Sequence, residues 1–117
     1  GNDGLFLHSL EYHAQGAITA MANLFSPLLR QVWDIYGQGG DALDAQEELN
    51  IRRKVLDLYT PFPPILKALL ARVNGFERWP VRPPLRPVSA QTEENCCHEL
   101  GECSDVAQAP VQTEFEK

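Results

Sequence analysis

The 117-residue sequence predicts a mostly helical chain carrying one buried strand of the kind found in parallel α/β sheets. Three observations point there. Gly16-Ala-Ile-Thr-Ala-Met-Ala22 is a run of small and apolar residues unbroken by charge, as suits a strand covered on both faces. From Ser26 onward, Ser-Pro starts and Gly stops mark out one helix after another. A lone strand also cannot satisfy its own edges, so its neighbours are expected to lie outside this sequence. Periodicity alone leaves a run this short open to a buried-helix reading as well.

Taken in order, Gly1 to Asp3 reads as a strand end turning into a helix, with Asp3 as its N-cap. Leu5 to His13 reads as a short helix with Phe6, Leu7 and Leu10 inward, stopped by Gly16. After the 16–22 run, Ser26-Pro27 is an N-cap followed by proline at the first helical position. That helix runs to about Tyr36 on a stripe of Leu28, Leu29, Val32 and Ile35, and Gly37, Gly39 and Gly40 end it. Asp41 caps a long helix to about Tyr59. Ala42, Ala45, Leu49 and Leu56 form its apolar face, and Glu48 and Arg52 pair one turn apart on the other. Pro61, Pro63 and Pro64 break the chain before a helix from Ile65 to Val73, which Asn74-Gly75 closes with a left-handed cap. Pro80, Pro83, Pro84 and Pro87, with Arg78, Arg82 and Arg86 between them, make residues 76–88 an extended arm. Ser89 caps a last helix through about Leu100, ended by Gly101, and residues 101–117 read as a disordered acidic tail.

Composition bounds the function classes. At 44% hydrophobic the chain can build a core, a modest one at this length. The net charge of −6 sits in the tail: residues 1–89 hold nine acids and nine bases, residues 90–117 seven acids and only Lys117. Nucleic-acid binding finds no support in that balance. No apolar run approaches the roughly 20 residues that span a bilayer, and the start lacks a signal-peptide layout, so a cytoplasmic protein is expected. The sequence opens on Gly1 rather than Met, from which we expect a truncated or processed product. Cys96, Cys97 and Cys103, with His98, form a Cys-Cys-His-x4-Cys cluster. Adjacent cysteines are poor spacing for tetrahedral zinc, so free thiols on a surface helix or tail are expected and no metal.

Four blocks carry a family resemblance. Gly1-Asn-Asp3, then a gap of twelve residues, then Gly16-Ala-Ile-Thr-Ala-Met-Ala-Asn23 resembles the last two strand ends of the dihydrodipicolinate synthase/N-acetylneuraminate lyase family. Pro61-Phe-Pro-Pro-Ile-Leu-Lys67-Ala-Leu-Leu70 is similar to its Pro-x-x-x-Lys-x-x-Leu helix start, and Val81-Arg-Pro-Pro-Leu-Arg-Pro-Val-Ser89 to its arginine-proline arm. The resemblance covers about residues 1–100. It implies a (β/α)8 TIM barrel as the parent fold. Residues 1–25 would supply the end of strand seven, helix seven and strand eight, and residues 26–100 helix eight and a C-terminal helical bundle. Active sites of such barrels lie at the C-terminal strand ends.

Members of that family form a Schiff base between a strand-six lysine and pyruvate or another 2-keto acid, with a tyrosine shuttling protons. The resemblance thus implies a Schiff-base lyase that needs no cofactor and assembles as a homo-oligomer. A protonated imine is an electron sink for the carbanion, and the lysine must be neutral to attack. No catalytic residue is expected in this chain: Lys54 and Lys67 fall on helices, as do Tyr12, Tyr36 and Tyr59. By family match Ile18 lines the pyruvate pocket, with barrel filling as the alternative. Gly1 matches a glycine where backbone nears substrate, and Asp3 an acid near the pocket mouth. Asn2 departs from the acid of some members. His8, His13 and His98 read as surface groups. Arg72, Arg78, Arg82 and Arg86 admit an anion site or a packed arm with paired guanidiniums.

Two readings follow: part of a 2-keto-acid lyase, or a non-catalytic helical module derived from one. In either, a 16–22 strand without neighbours would expose both edges, leaving the isolated chain aggregation-prone, with Ser26 to Val73 its most ordered part.

Overall fold

Asn2 opens the first turn of the chain. Its side-chain oxygen accepts from the Gly4 amide at 2.8 Å, and a single 3-10 turn, Asp3–Leu5, follows. A computed structural model describes residues 1–101, in two units that meet between Lys54 and Val55.

In the first unit the 3-10 turn runs into helix α1, Phe6–Glu11, which buries Phe6, Leu7 and Leu10 as the sequence predicts. Its stop differs from expectation. His13 takes the left-handed conformation at φ 68°, with Ala14 N–H bonded to Ser9 O and His13 N–H to Leu10 O. That pair of bonds is a Schellman closure, so the helix ends before Gly16. α1 packs against helix α2, Ala22–Gly37.

The expected strand at 16–22 is not formed, and the described residues contain no strand. Residues 14–19 have no regular structure, residues 20 and 21 turn, and Ala22 already begins α2. A strand is stable only when a neighbour takes its backbone N–H and C=O groups, and none is present. The run divides accordingly. Met21 is fully buried beside Leu24 and Phe25, whereas Ile18 is 92% exposed.

The Ser26-Pro27 signal marks the start of a helical stretch as expected, and α2 also includes a short stretch before it, the two joined across a kink at Phe25. Phe25 leaves helical geometry at φ −122°, ψ 32°, two residues ahead of Pro27, which offers no N–H to the turn before it. Leu29 and Val32 carry the buried stripe beyond the kink, while Leu28 and Ile35 are half-buried. The glycine stop is as predicted: Gly39 is left-handed at φ 78°, with Gly40 N–H on Ile35 O and Gly39 N–H on Tyr36 O. A Cβ on Gly40 would meet Ile35 Cγ2 at 3.0 Å and Ile35 O at 3.2 Å, so a side chain there would crowd this turn.

Asp41 accepts from the Leu43 amide at 3.0 Å and leads into α3, Leu43–Leu56. Ala42, Ala45, Leu49 and Leu56 are buried, and Glu48 and Arg52 pair at 2.9 Å, both as the sequence predicts. The Arg52 guanidinium stands 5.7 Å from the centre of the Phe25 ring.

The second unit takes in Val55 and Leu56 at the end of α3 and continues with a 3-10 turn, Asp57–Tyr59, and helix α4, Phe62–Asn74. α4 starts three residues ahead of expectation. Pro63 and Pro64 occupy its first turn, where no intrahelical N–H is required. Ile65, Leu66, Ala68 and Leu69 are buried, and Gly75 caps the helix at φ 71°. Residues 76–88 form no helix or strand. Ser89 accepts from the Thr92 amide at 3.1 Å and starts α5, Ala90–Glu99, which packs on α4. From residue 102 the acidic tail, with Cys103, lies outside the described residues.

The arm is tied by charge. Arg78 donates to Val88 O at 2.8 Å and pairs with Glu93, and Lys67 donates to Pro80 O at 2.6 Å. Arg72 reaches Glu93 at 3.2 Å and Glu94 at 2.7 Å. Of the two readings of the arginines, Arg72 and Arg78 follow the packed, paired one; Arg82 and Arg86 are exposed.

Cys96 and Cys97 correct the expectation of surface thiols. Glu93, Cys96, Cys97 and Leu100 recur at helical spacing on one face of α5, and both cysteines are buried there. Cys96 is free, while Cys97 is disulfide-bonded. Burial, then the Glu99 carboxylate, pushes the Cys96 thiol up to about 11.

Candidate functional site

The residues singled out by family match, Gly1, Asp3 and Ile18, all lie in the first unit. The Gly1 nitrogen donates to Ile18 O at 2.7 Å, joining the opening turn to the irregular segment seventeen residues on. Gly1 and Ile18 are both exposed.

Asp3 is neither at the surface nor an N-cap. Asn2 provides the cap, and the Asp3 side chain is fully buried. Its Oδ2 accepts from Arg53 Nη1 at 2.7 Å. A carboxylate removed from water needs such a partner, because burial without one would cost several kcal/mol, about 3 to 5. Asp3 Oδ1 has no hydrogen-bond partner among the described residues, nor has the buried Thr19 Oγ1.

Gln46 stands beside this pair. It is 6% exposed, and both ends of its amide are used. Oε1 accepts from the Leu7 amide at 2.9 Å, one of the N–H groups that the first turn of α1 cannot satisfy within the helix. Nε2 donates to Asp3 O at 3.0 Å and to Asn50 Oδ1 at 2.9 Å. The opening turn is therefore held on one side to Ile18 and on the other to polar groups of α3.

Sequence reasoning named Asp3 but passed over Gln46, Asn50 and Arg53. A signal for them exists. Positions 46, 50 and 53 recur at i, i+4 and i+7, a polar stripe running beside the Ala42, Ala45, Leu49 and Leu56 face.

Lys54 is exposed on α3, and Lys67 is engaged with Pro80 O. Tyr12 is 74% exposed and packs edge-on to His8. Tyr36 is exposed on α2. Tyr59 donates to Glu99 Oε1 at 2.7 Å, and that hydrogen bond, then burial and the carboxylate charge, raises its phenol to about 12. Among the described residues no group of three His, Cys, Asp or Glu side chains could hold a metal ion. No helix among them is long and apolar enough to cross a membrane.

Comparison with known proteins gives one consistent result. The model of the dihydrodipicolinate synthetase family matches residues 1–102. An uncharacterized DapA-like lyase of Chloroflexus aurantiacus is 41% identical over 91 residues, covering 76% of this chain and 29% of the relative. Another DapA-like lyase, from Thermofilum pendens, is 34% identical over 96 residues, covering 80% of this chain and 32% of the relative. A 4-hydroxy-tetrahydrodipicolinate synthase of Methanococcoides burtonii is 28% identical over 104 residues, covering 86% and 36% respectively. The chain thus spans about a third of the length of the curated relatives it matches. No solved structure matches it.

Proposed function

The chain belongs to the dihydrodipicolinate synthetase family, and on that premise we propose that it serves as the C-terminal third of a Schiff-base lyase acting on pyruvate or another 2-keto acid. The lysine that attacks the keto carbon and the tyrosine that moves protons come from residues outside this sequence. Water leaves as the imine forms. The protonated imine then draws electrons from the neighbouring carbon, so a carbon–carbon bond can be made or broken there. Hydrolysis returns the lysine. A homo-oligomeric assembly and a cytoplasmic location belong to the same reading.

In this reading residues 1–25 close strand seven and supply helix seven and strand eight of a TIM barrel. The 16–22 strand forms once sheet neighbours accept its backbone groups. Gly1, Asp3 and Ile18 are this chain's share of the pocket. Gly1 and Ile18 stand at its edge, and Asp3 fixes the turn behind Gly1. One observation carries the reading: the dihydrodipicolinate synthetase model matches residues 1–102, and a 2.7 Å bond from the Gly1 nitrogen to Ile18 O is in keeping with it.

Borohydride trapping with labelled pyruvate tests it. A polypeptide that includes the upstream residues should be labelled on a lysine outside residues 1–117, and the isolated chain should take no label. Label on Lys54 or Lys67, or none on the longer polypeptide, would overturn the proposal.

A further inference from the structure

The polar stripe of α3 is more than a helix face that happens to be wet. Two of its three members, Arg53 and Gln46, meet the opening turn at its charged side chain, its main-chain carbonyl and the first free N–H of α1. Arg53 takes the buried Asp3 carboxylate at 2.7 Å. Gln46 takes Asp3 O at 3.0 Å and the Leu7 amide at 2.9 Å. The Leu7 N–H can only donate and Asp3 O only accept, which sets the orientation of the Gln46 amide, and Asn50 adds a 2.9 Å bond from Gln46 Nε2. These contacts cross 39 to 50 residues of sequence, so they are tertiary and not a local turn motif.

Only the far side of the turn is tied to Ile18, through the Gly1 nitrogen. With Asp3 fully buried, the turn cannot shift without breaking the charged contact and leaving a carboxylate unpaired. Its place is therefore set from α3, and the Gly1 nitrogen carries the tie to Ile18.

We propose that Arg53 and Gln46 are positioning residues: helix α3 clamps the Gly1–Asp3 turn through them and so fixes the edge of the 2-keto-acid pocket. The proposal deepens the lyase reading and rests on it. Neither residue touches substrate. They act through Asp3 and Leu7 on the backbone at Gly1, and a small displacement of positioned backbone is enough to weaken binding of a small acid.

The experiment uses the polypeptide with its upstream residues and the variants Arg53→Gln, Arg53→Lys, Gln46→Leu and Asp3→Asn, with Lys54→Gln as the exposed neighbour. Arg53→Gln and Gln46→Leu should raise KM for pyruvate about tenfold with kcat within about twofold. Arg53→Lys, which keeps the charge, should fall between them and the parent. Arg53→Gln and Asp3→Asn together should raise KM no further than either alone. Amide exchange at Gly4 and Leu7 should quicken in Arg53→Gln and Gln46→Leu and stay unchanged in Lys54→Gln. An unchanged KM in Arg53→Gln, additive effects with Asp3→Asn, or unchanged exchange at Leu7 in Gln46→Leu would each overturn the clamp. If the parent polypeptide takes no label from pyruvate and borohydride, the lyase reading fails by itself. The exchange measurements then still decide whether α3 holds the turn. Should Arg53→Gln fail to fold, Arg53→Lys and Gln46→Leu carry the same comparison.

Discussion

The arm at 76–88 offers a test of how charge replaces secondary structure. It has no helix or strand to hold it, yet Arg78 ties its two ends by donating to Val88 O and pairing with Glu93. The perturbation is Arg78→Met and Glu93→Gln, singly and combined. Two unit charges at about 4 Å in an effective dielectric of about 20 attract by roughly 4 kcal/mol before any cost is subtracted. Three things reduce that. Glu93 is only 16% exposed and has lost most of its water; Arg78 remains 34% exposed and keeps part of its own; Arg72 competes for the same carboxylate at 3.2 Å. Exposed pairs retain about 0.2 to 1 kcal/mol. With one partner largely buried, we expect a coupling of about 1 to 1.5 kcal/mol from the double-mutant cycle. Arg78→Met alone should cost more than the coupling, since it also leaves Val88 O without its donor. The assay is urea unfolding followed by fluorescence of Trp79, which stacks on Phe76 at 5.7 Å within the arm, in a Trp33→Phe background. The coupling should shrink in 1 M salt, where the screening length is about 3 Å. Single effects that add to within about 0.3 kcal/mol would refute the reasoning, because independent sites behave that way.

Two further outcomes follow from the second unit. Tyr59, raised to about 12 from an ordinary value of 10, holds its proton more tightly folded than unfolded. Its contribution to stability is therefore complete below about pH 10 and lost as pH rises through about 12. Glu99→Gln should move the phenol midpoint, read by ultraviolet absorbance, back toward the ordinary value, and a curve unchanged from the parent would refute the assigned cause. Leu69, 1% exposed inside α4, should cost about 2 to 5 kcal/mol as Leu69→Ala, seen as a fall in the urea midpoint without a change in slope. A loss under about 1 kcal/mol would mean that the α4–α5 packing is not a tight core.

The helices were largely legible because their signals are local. Asp41 before Leu43, Ser89 before Ala90 and Gly75 after Asn74 each act within one turn of the residue that they cap, and each does so in the structure. The Ser26-Pro27 signal shows the limit of that logic. Proline can open a helix or bend one, and here it does both, opening a stretch at Ser26 that a kink at Phe25 joins to a helical turn upstream. The 16–22 run went astray for the opposite reason. Its composition suits a buried strand, but a strand is a property of a sheet, and hydrogen-bond partners are not encoded in the run itself. The cysteines were misplaced by counting: thiol number and spacing say nothing of the face of α5 that Glu93, Cys96, Cys97 and Leu100 share.

The site divides along the same line. Gly1, Asp3 and Ile18 came from matched motifs, which identify positions without saying what each side chain touches. A carboxylate beside a glycine turn reads equally as a helix cap, a substrate ligand or a buried anchor. Burial and a partner separate these, and the partner lies 50 residues away on another helix. What makes the anchor role physically compelling is asymmetry. An exposed substrate-binding acid needs no fixed cation, whereas a fully buried one must have it, and Arg53 sits where α3 can supply it. The same stripe provides Gln46, whose amide can both donate and accept, to bridge a carbonyl and an N–H that a carboxylate or an ammonium could satisfy only one at a time. The choice of residue types at 46, 50 and 53 is thus explained by what the turn presents to them, and not by the helix on which they stand.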